Sequence, residues 1–133
     1  MQHPMTSIAS DGPMTVFGVG SPHPRTYGTF ARVLGSYVRD RKILSLEEAI
    51  RKMTSLPAQI LSIDNRGLIQ EGYYADITIF DAKTVTDTAT FEDPHQYAEG
   101  IYSVLVSVVI FVENGAHNGN RPGRVLHGPG HKY

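Results

Sequence analysis

The apolar residues of this 133-residue chain follow two different periods, and the change between them near residue 63 limits what it can fold into. Phe30, Val33, Leu34, Tyr37 and Val38 fall at i, i+3, i+4, i+7 and i+8, one stripe with the period of a helix. Thr29 stands where an N-cap belongs, and Arg39, Arg41 and Lys42 suit the negative end of the helix dipole. Ser45-Leu46-Glu47-Glu48 reads as a capping box, so a second helix is expected, with Leu46, Ala49, Ile50 and Met53 on its buried face. Ser55 and Pro57 begin a third, short helix whose Ala58, Ile60 and Leu61 turn inward. Past Asp64 the period becomes two: Ala75, Ile77 and Ile79 alternate with Asp76, Thr78 and Phe80, as in a half-buried strand. Val104 to Val112 is β-branched throughout most of its length and ends at the turn Glu113-Asn114-Gly115, which predicts one long strand or two short ones. Helices followed by strands make the chain α/β to α+β, with a boundary between 1–62 and 63–133.

The 13 glycines and 8 prolines concentrate towards the two ends. Asp11 to Pro24 is too rich in turn formers for a regular element and too long for a plain connection, the kind of loop that carries function. Thr6 to Ser10 before it is expected to be a short strand, and Asn118 to Tyr133 a surface-hugging tail. Lys and Arg number 12 against 13 Asp and Glu, so no surface is predicted to neutralise nucleic-acid phosphates. No apolar run reaches the roughly 20 residues of a membrane-spanning helix. The first fifteen residues hold His, Pro and Asp where a secretory signal needs an apolar stretch, so a cytoplasmic protein is expected. Without cysteine the chain holds no disulfide, thiolate ligand or Cys nucleophile.

Ser10-Asp11-Gly12, at the end of the expected strand and the mouth of the loop, is the most suggestive local feature. Catalytic groups of α/β barrels sit at such strand ends, although the tripeptide by itself is also an ordinary turn. His3, His23, His95, His117, His127 and His131 are scattered, and no pair has the His-x-His or His-x-x-x-His spacing that converges two rings on one metal. Glu47-Glu48 reads as a helix first turn, Gly18-Val19-Gly20 lacks the third glycine of a phosphate loop, and Gly-x-Ser-x-Gly is absent.

Arg66-Gly67-Leu68-Ile69-Gln70-Glu71-Gly72-Tyr73-Tyr74-Ala75-Asp76-Ile77-Thr78-Ile79-Phe80-Asp81 resembles a segment near the end of amidohydrolase-superfamily enzymes, where the chain leaves the barrel for a small β-sandwich. His3-Pro4, Ser10-Asp11-Gly12, His23-Pro24-Arg25, Tyr27-Gly28-Thr29-Phe30, Arg32-Val33-Leu34-Gly35, Lys52-Met53-Thr54 and Leu56-Pro57-Ala58 are similar to the carboxy-terminal part of the N-acyl-D-amino-acid deacylases, the D-aminoacylases. So are Thr90-Phe91-Glu92, Pro94-His95-Gln96-Tyr97 and Arg121-Pro122-Gly123-Arg124.

The resemblance implies the last strand and helices of a TIM barrel in 1–62 and part of the β-sandwich with an irregular tail in 63–133. It makes Asp11 the catalytic aspartate beside a zinc-bound water, base first and acid afterwards. His23 and Arg25 fall in the covering loop, near the substrate carboxylate. The family's zinc ligands lie in earlier strands, so no complete metal site is expected here, with Asp11 at most a weak ligand and no zinc bound by the chain alone. Eight strand and helix units need about 200 residues or more, so a fragment is expected, as from a truncated or split reading frame. Its partners would be the missing barrel portion or a second copy of itself, with a small N-acyl-D-amino acid as substrate. The alternative is a non-catalytic oligomerising or binding module built on the same fold. Where the family has Val-Asn-Gly between two short strands, this chain has Val106-Ser107-Val108; valine resists the positive φ of that turn, so the hairpin is expected to become one longer strand.

Overall fold

The structure, a computed structural model, describes residues 1–131. Its helical part holds α1 (Arg25–Arg32), a π-helical continuation over Val33–Asp40, α2 (Leu46–Met53) and α3 (Ser55–Ile60). Its sheet holds β1 (Ile77–Phe80), β2 (Ile101–Val106), β3 (Val109–Glu113) and β4 (Ala116–His117), antiparallel in the order β1-β2-β3-β4. None of the helices is long and apolar enough to cross a membrane.

The first helix begins earlier than the apolar stripe indicated. Thr29 is not its cap: Thr29 Oγ1 donates to Arg25 O at 2.8 Å, one turn back inside the helix. The start is made by His23, whose Nδ1 accepts from Arg25 N at 3.0 Å and whose carbonyl accepts from Thr26 N at 2.9 Å. In α2 the cap is as expected, Ser45 Oγ accepting from Glu48 N at 3.2 Å. The Glu48 carboxylate points the other way, to Arg51 at 2.8 Å and Lys52 at 3.3 Å. Pro57 occupies the first turn of α3, but Ile60 and Leu61 face outward rather than inward.

Two apolar clusters share the helices. Val33, Leu44 and Ala49 pack with Ile8, Tyr37, Val38, Ile43 and Met53. Ala31, Leu34 and Val85 pack with Leu46, Ile50, Phe80 and Ile101, and this cluster joins helices to sheet. Val85 is fully buried between two glycines. A Cβ on Gly35 would lie 2.6 Å from Val85 O, and one on Gly100 would lie 2.6 Å from Val85 Cα, so both positions admit only glycine at this approach. Arg39 Nη1 donates to the same Val85 carbonyl at 2.6 Å.

Thr6 to Ser10 is not a strand, because no neighbouring strand among the described residues pairs with it. It is tied to α2 instead: Ile8 N donates to Lys52 O at 2.9 Å. The Lys52 ammonium, fully buried, donates to His3 O at 2.6 Å and Thr6 O at 3.0 Å. The expected single long strand is likewise overturned. Ser107 and Val108 adopt φ of 49° and 66° and close a tight hairpin between β2 and β3. Bonds from Ser107 N to Asp76 Oδ1 at 2.9 Å and from Val108 N to Ala75 O at 3.2 Å, with the flanking ladder, hold valine in a conformation it disfavours. Asn114 and Gly115 make the second hairpin turn as expected. The tail, whose last two residues lie outside the described ones, is fastened at its start by Asn118 and Asn120, whose side-chain amides both donate to Ile110 O at 3.0 Å. Arg124 stacks over Tyr74, whose ring also meets the guanidinium of Arg66.

Two predictions follow from these contacts. Val108→Gly removes the backbone strain and is expected to raise stability by about 1 kcal/mol, read as a higher urea midpoint at unchanged slope. The hydrogen bonds from Arg51, with those from Lys52, hold the Glu48 carboxyl at about 2 against an ordinary 4.5. A carboxyl depressed by folding stabilises above its unfolded pKa and stops doing so as pH falls through the folded one. Glu48→Gln is therefore expected to lower Tm at pH 7 and to narrow the Tm difference between pH 7 and pH 3; an unchanged difference would refute the assignment.

Candidate active site

Ser10 builds the head of the loop. Its Oγ accepts from Gly12 N at 3.1 Å, donates to Arg25 O at 3.4 Å and lies 3.3 Å from Thr29 Oγ1, so the segment before Asp11 is pinned to the first turn of α1. The Asp11 side chain is 87% exposed, and its Oδ2 meets Arg25 Nη2 at 2.8 Å. So exposed a pair adds at most about 1 kcal/mol; its significance is positional, since it sets a carboxylate and a guanidinium side by side at the mouth of the loop.

His23 stands two residues before Arg25, where its ring caps α1 and meets Phe91 edge to face at 4.9 Å between centroids. His23 and Arg25 line a cavity of about 590 Å³ that Asp11 does not line. Its walls also carry Arg32 and Asp87, paired at 2.6 Å with the Asp87 side chain 10% exposed. Gly28 lets Asp87 approach, for a Cβ there would lie 2.7 Å from Asp87 Cβ. The structure thus brings Asp11 to Arg25, and places His23 beneath as the residue that starts their helix.

The rest of the loop is held by rings. Tyr27 OH lies 2.9 Å from His95 Nδ1 and 3.3 Å from Thr15 Oγ1, Gly18 N donates to His95 Nδ1 at 3.1 Å, and His95 Nε2 lies 2.9 Å from Gly20 O. Phe17 stacks on Tyr97 at 4.8 Å. Tyr27 and His95 both fall in segments that carry the family resemblance, but their pairing is not legible from spacing, since 68 residues separate the two.

The other histidines serve nearby backbone: His3 Nδ1 accepts from Met5 N and His117 Nδ1 from Gly119 N, and the His127 and His131 rings stack. Among the described residues no three His, Asp or Glu side chains converge as a metal site needs. Asp11, the one carboxylate at the loop mouth, faces a cation. The described residues therefore do not assemble the three or four converging donors of a zinc site.

Residues 1–112 match the family model described as "Amidohydrolase family". The chain belongs to the amidohydrolase family. It is 45% identical over 125 residues to an N-acyl-D-aspartate deacylase of Alcaligenes xylosoxydans xylosoxydans, covering 93% of this chain and 24% of that one. It is 50% identical over 105 residues to a D-aminoacylase of the same organism, covering 79% and 22%. The crystal structure of N-acyl-D-glutamate deacylase from Bordetella bronchiseptica, complexed with zinc and a phosphonate mimic of the tetrahedral intermediate, matches with TM-score 0.81 and 42% identity over 94% of this chain and 26% of that one. A D-aminoacylase structure matches with TM-score 0.78 and 49% identity, covering 80% and 22%. This amidohydrolase chain thus spans about a quarter of the length of the relatives it matches. The two solved structures share its fold over 94% and 80% of this chain, and the relatives are named as deacylases of N-acyl-D-aspartate and N-acyl-D-glutamate and as D-aminoacylases.

The wall of the cavity yields a test of this geometry. Gly28→Ala forces Asp87 away from α1 and loosens its bond to Arg32, an expected loss of about 1–3 kcal/mol in denaturant unfolding. Retention of full stability would show that the wall yields without cost.

Proposed function

We propose that this chain is the carboxy-terminal portion of a zinc-dependent N-acyl-D-amino-acid deacylase of the cytoplasm, inactive alone, which hydrolyses the amide of N-acyl-D-amino acids when the rest of the barrel is present. In this reading residues 1–62 contribute the Thr6–Ser10 segment, which becomes the last barrel strand only when the rest of the barrel pairs with it, together with its loop and helices, and 63–133 contribute part of the β-sandwich and the tail. The observation that carries it is the Asp11–Arg25 pair at the loop mouth, in a chain 45% identical to an N-acyl-D-aspartate deacylase. The metal ligands would lie in the three quarters of the enzyme outside this chain; zinc there would polarise the scissile carbonyl and lower the pKa of a bound water.

The roles of this chain's residues follow from their chemistry. Asp11, exposed and acceptor-only when ionised, takes a proton from the attacking water and hands it to the departing amine nitrogen. Arg25 offers a planar fork suited to a substrate carboxylate and keeps Asp11 paired until that carboxylate arrives. His23 holds the first turn of α1 and with it the direction of Arg25. The partner is the missing barrel portion. Exposed Ile60, Leu61, Ile69 and Val125 are apolar surface for it to cover.

The test mixes the purified chain with the complementary portion of the N-acyl-D-aspartate deacylase and measures zinc content and hydrolysis of N-acetyl-D-amino acids. The expected result is zinc and turnover in the mixture and neither in the chain alone. In the mixture Asp11→Asn should lower kcat by about 10²–10⁴ with zinc retained, and Arg25→Met should act chiefly on KM. A stable complex without turnover, or a zinc-free dimer of the chain, would overturn this reading in favour of a non-catalytic binding module.

A further inference from the structure

We propose that His95 is a positioning residue of this site: with a neutral ring protonated on Nε2, it fastens the Asp11–His23 loop to α1 and thereby sets where the Asp11–Arg25 pair lies. The proposal rests on the catalytic reading of that pair, but its structural half stands on the contacts of the ring alone.

The tautomer follows from the partners. Gly20 O can only accept, so Nε2, 2.9 Å away, carries the hydrogen. Gly18 N–H can only donate, so Nδ1, 3.1 Å away, is the acceptor. Both assignments agree on one neutral form, and an imidazolium would turn Nδ1–H against Gly18 N–H. Tyr27 OH, 2.9 Å from the same Nδ1, shares that lone pair with Gly18 N–H as a second donor and can accept from Thr15 Oγ1 at 3.3 Å. One ring with one phenol thus reaches the loop at Thr15, Gly18 and Gly20, and each end of that reach matters to the pair.

Tyr27 lies on α1 two residues beyond Arg25, and Thr15 lies four residues beyond Asp11. A loop held at Tyr27 therefore fixes the approach of the Asp11 segment to the helix turn that carries Arg25. The rest of the loop offers little else to hold it: Met14, Val16 and Val19 are exposed. Phe17 alone joins the rings, at 4.8 Å from Tyr97, 5.5 Å from His95 and 5.9 Å from Tyr27. Gly18 and Gly20, at φ of 80° and 72°, give the backbone the reversal that presents an amide and a carbonyl to the same imidazole.

Nuclear magnetic resonance on the chain itself tests the latch. The ring nitrogens of His95 should show the Nε2–H tautomer, and the Gly18 amide should exchange slowly. In His95→Ala, Gly18 exchange is expected to rise about fivefold, the loss of one hydrogen bond of roughly 1 kcal/mol, and the carboxyl carbon shift of Asp11 should move. Tyr27→Phe, which keeps the ring packing, should show the same changes more weakly, with Val85 exchange unaltered in both as evidence of an intact core. In the reconstituted enzyme His95→Ala should raise KM several-fold more than it lowers kcat, whereas a general loss of folded protein would lower kcat alone. An Nδ1–H tautomer, unchanged Gly18 exchange or an unmoved Asp11 signal would overturn the proposal. Failure of the deacylase reading would be seen separately, as wild-type mixture without turnover while the resonance changes persist.

Discussion

Val85 is the point through which helices and sheet become one body. Its side chain is fully buried against Ala31 and Leu34, and its backbone is closed in by Gly35 on one side and Gly100 on the other. Packing of this closeness transmits displacement, since a methyl group at either glycine has no space to enter. The Arg39 guanidinium satisfies the Val85 carbonyl where the helix crosses it, so the contact is polar as well as steric. Together with the Arg32–Asp87 bond and the Tyr27–His95 contact, it fixes α1, and hence Arg25, against the segment that joins β1 to β2.

The candidate site depends on that body without belonging to its core. Asp11 and Arg25 are exposed groups on the first turn of a helix and the loop before it. Their geometry is determined by neighbours at long sequence distance: Ser10 against Thr29, His95 against Gly18 and Gly20, Asp87 against Gly28. This is the usual division between a rigid scaffold and the loops that carry chemistry. Belonging to the amidohydrolase family fits that division.

Much of this was readable from residue order because the information was local. The Ser45 cap, the buried Ala49, the existence of the strand at Ile77 to Phe80 and the Asn114-Gly115 turn are each set by residues within a few positions, although the expected alternation fails at the register shift after Ile79, which leaves Ile79 exposed and packs Phe80 on the core. Asp11 and Arg25 were singled out by the family resemblance, and their pairing across the loop was not legible in residue order. What escaped was non-local. Thr29 looked like a cap because the stripe begins at Phe30, yet the His23 ring starts the helix a turn earlier. Val108 argued against a tight turn, but Asp76 and Ala75, some thirty residues away, supply bonds that outweigh its φ preference. Thr6 to Ser10 had the composition of a strand and lacked only a neighbour, which no pattern within the chain could disclose.

That unpaired segment has its own consequence. Lys52 holds it at His3 and Thr6, and its amide at Ile8 is taken by the Lys52 carbonyl, so the stretch leading to Asp11 is ordered by a helix rather than by a sheet. A strand arriving from another chain would meet a backbone whose entropy has already been lost, and would spend its own pairing energy on association rather than on ordering this one. Lys52 thereby acts as a jig: it holds the backbone from His3 to Ile8 in place just ahead of the loop that carries Asp11.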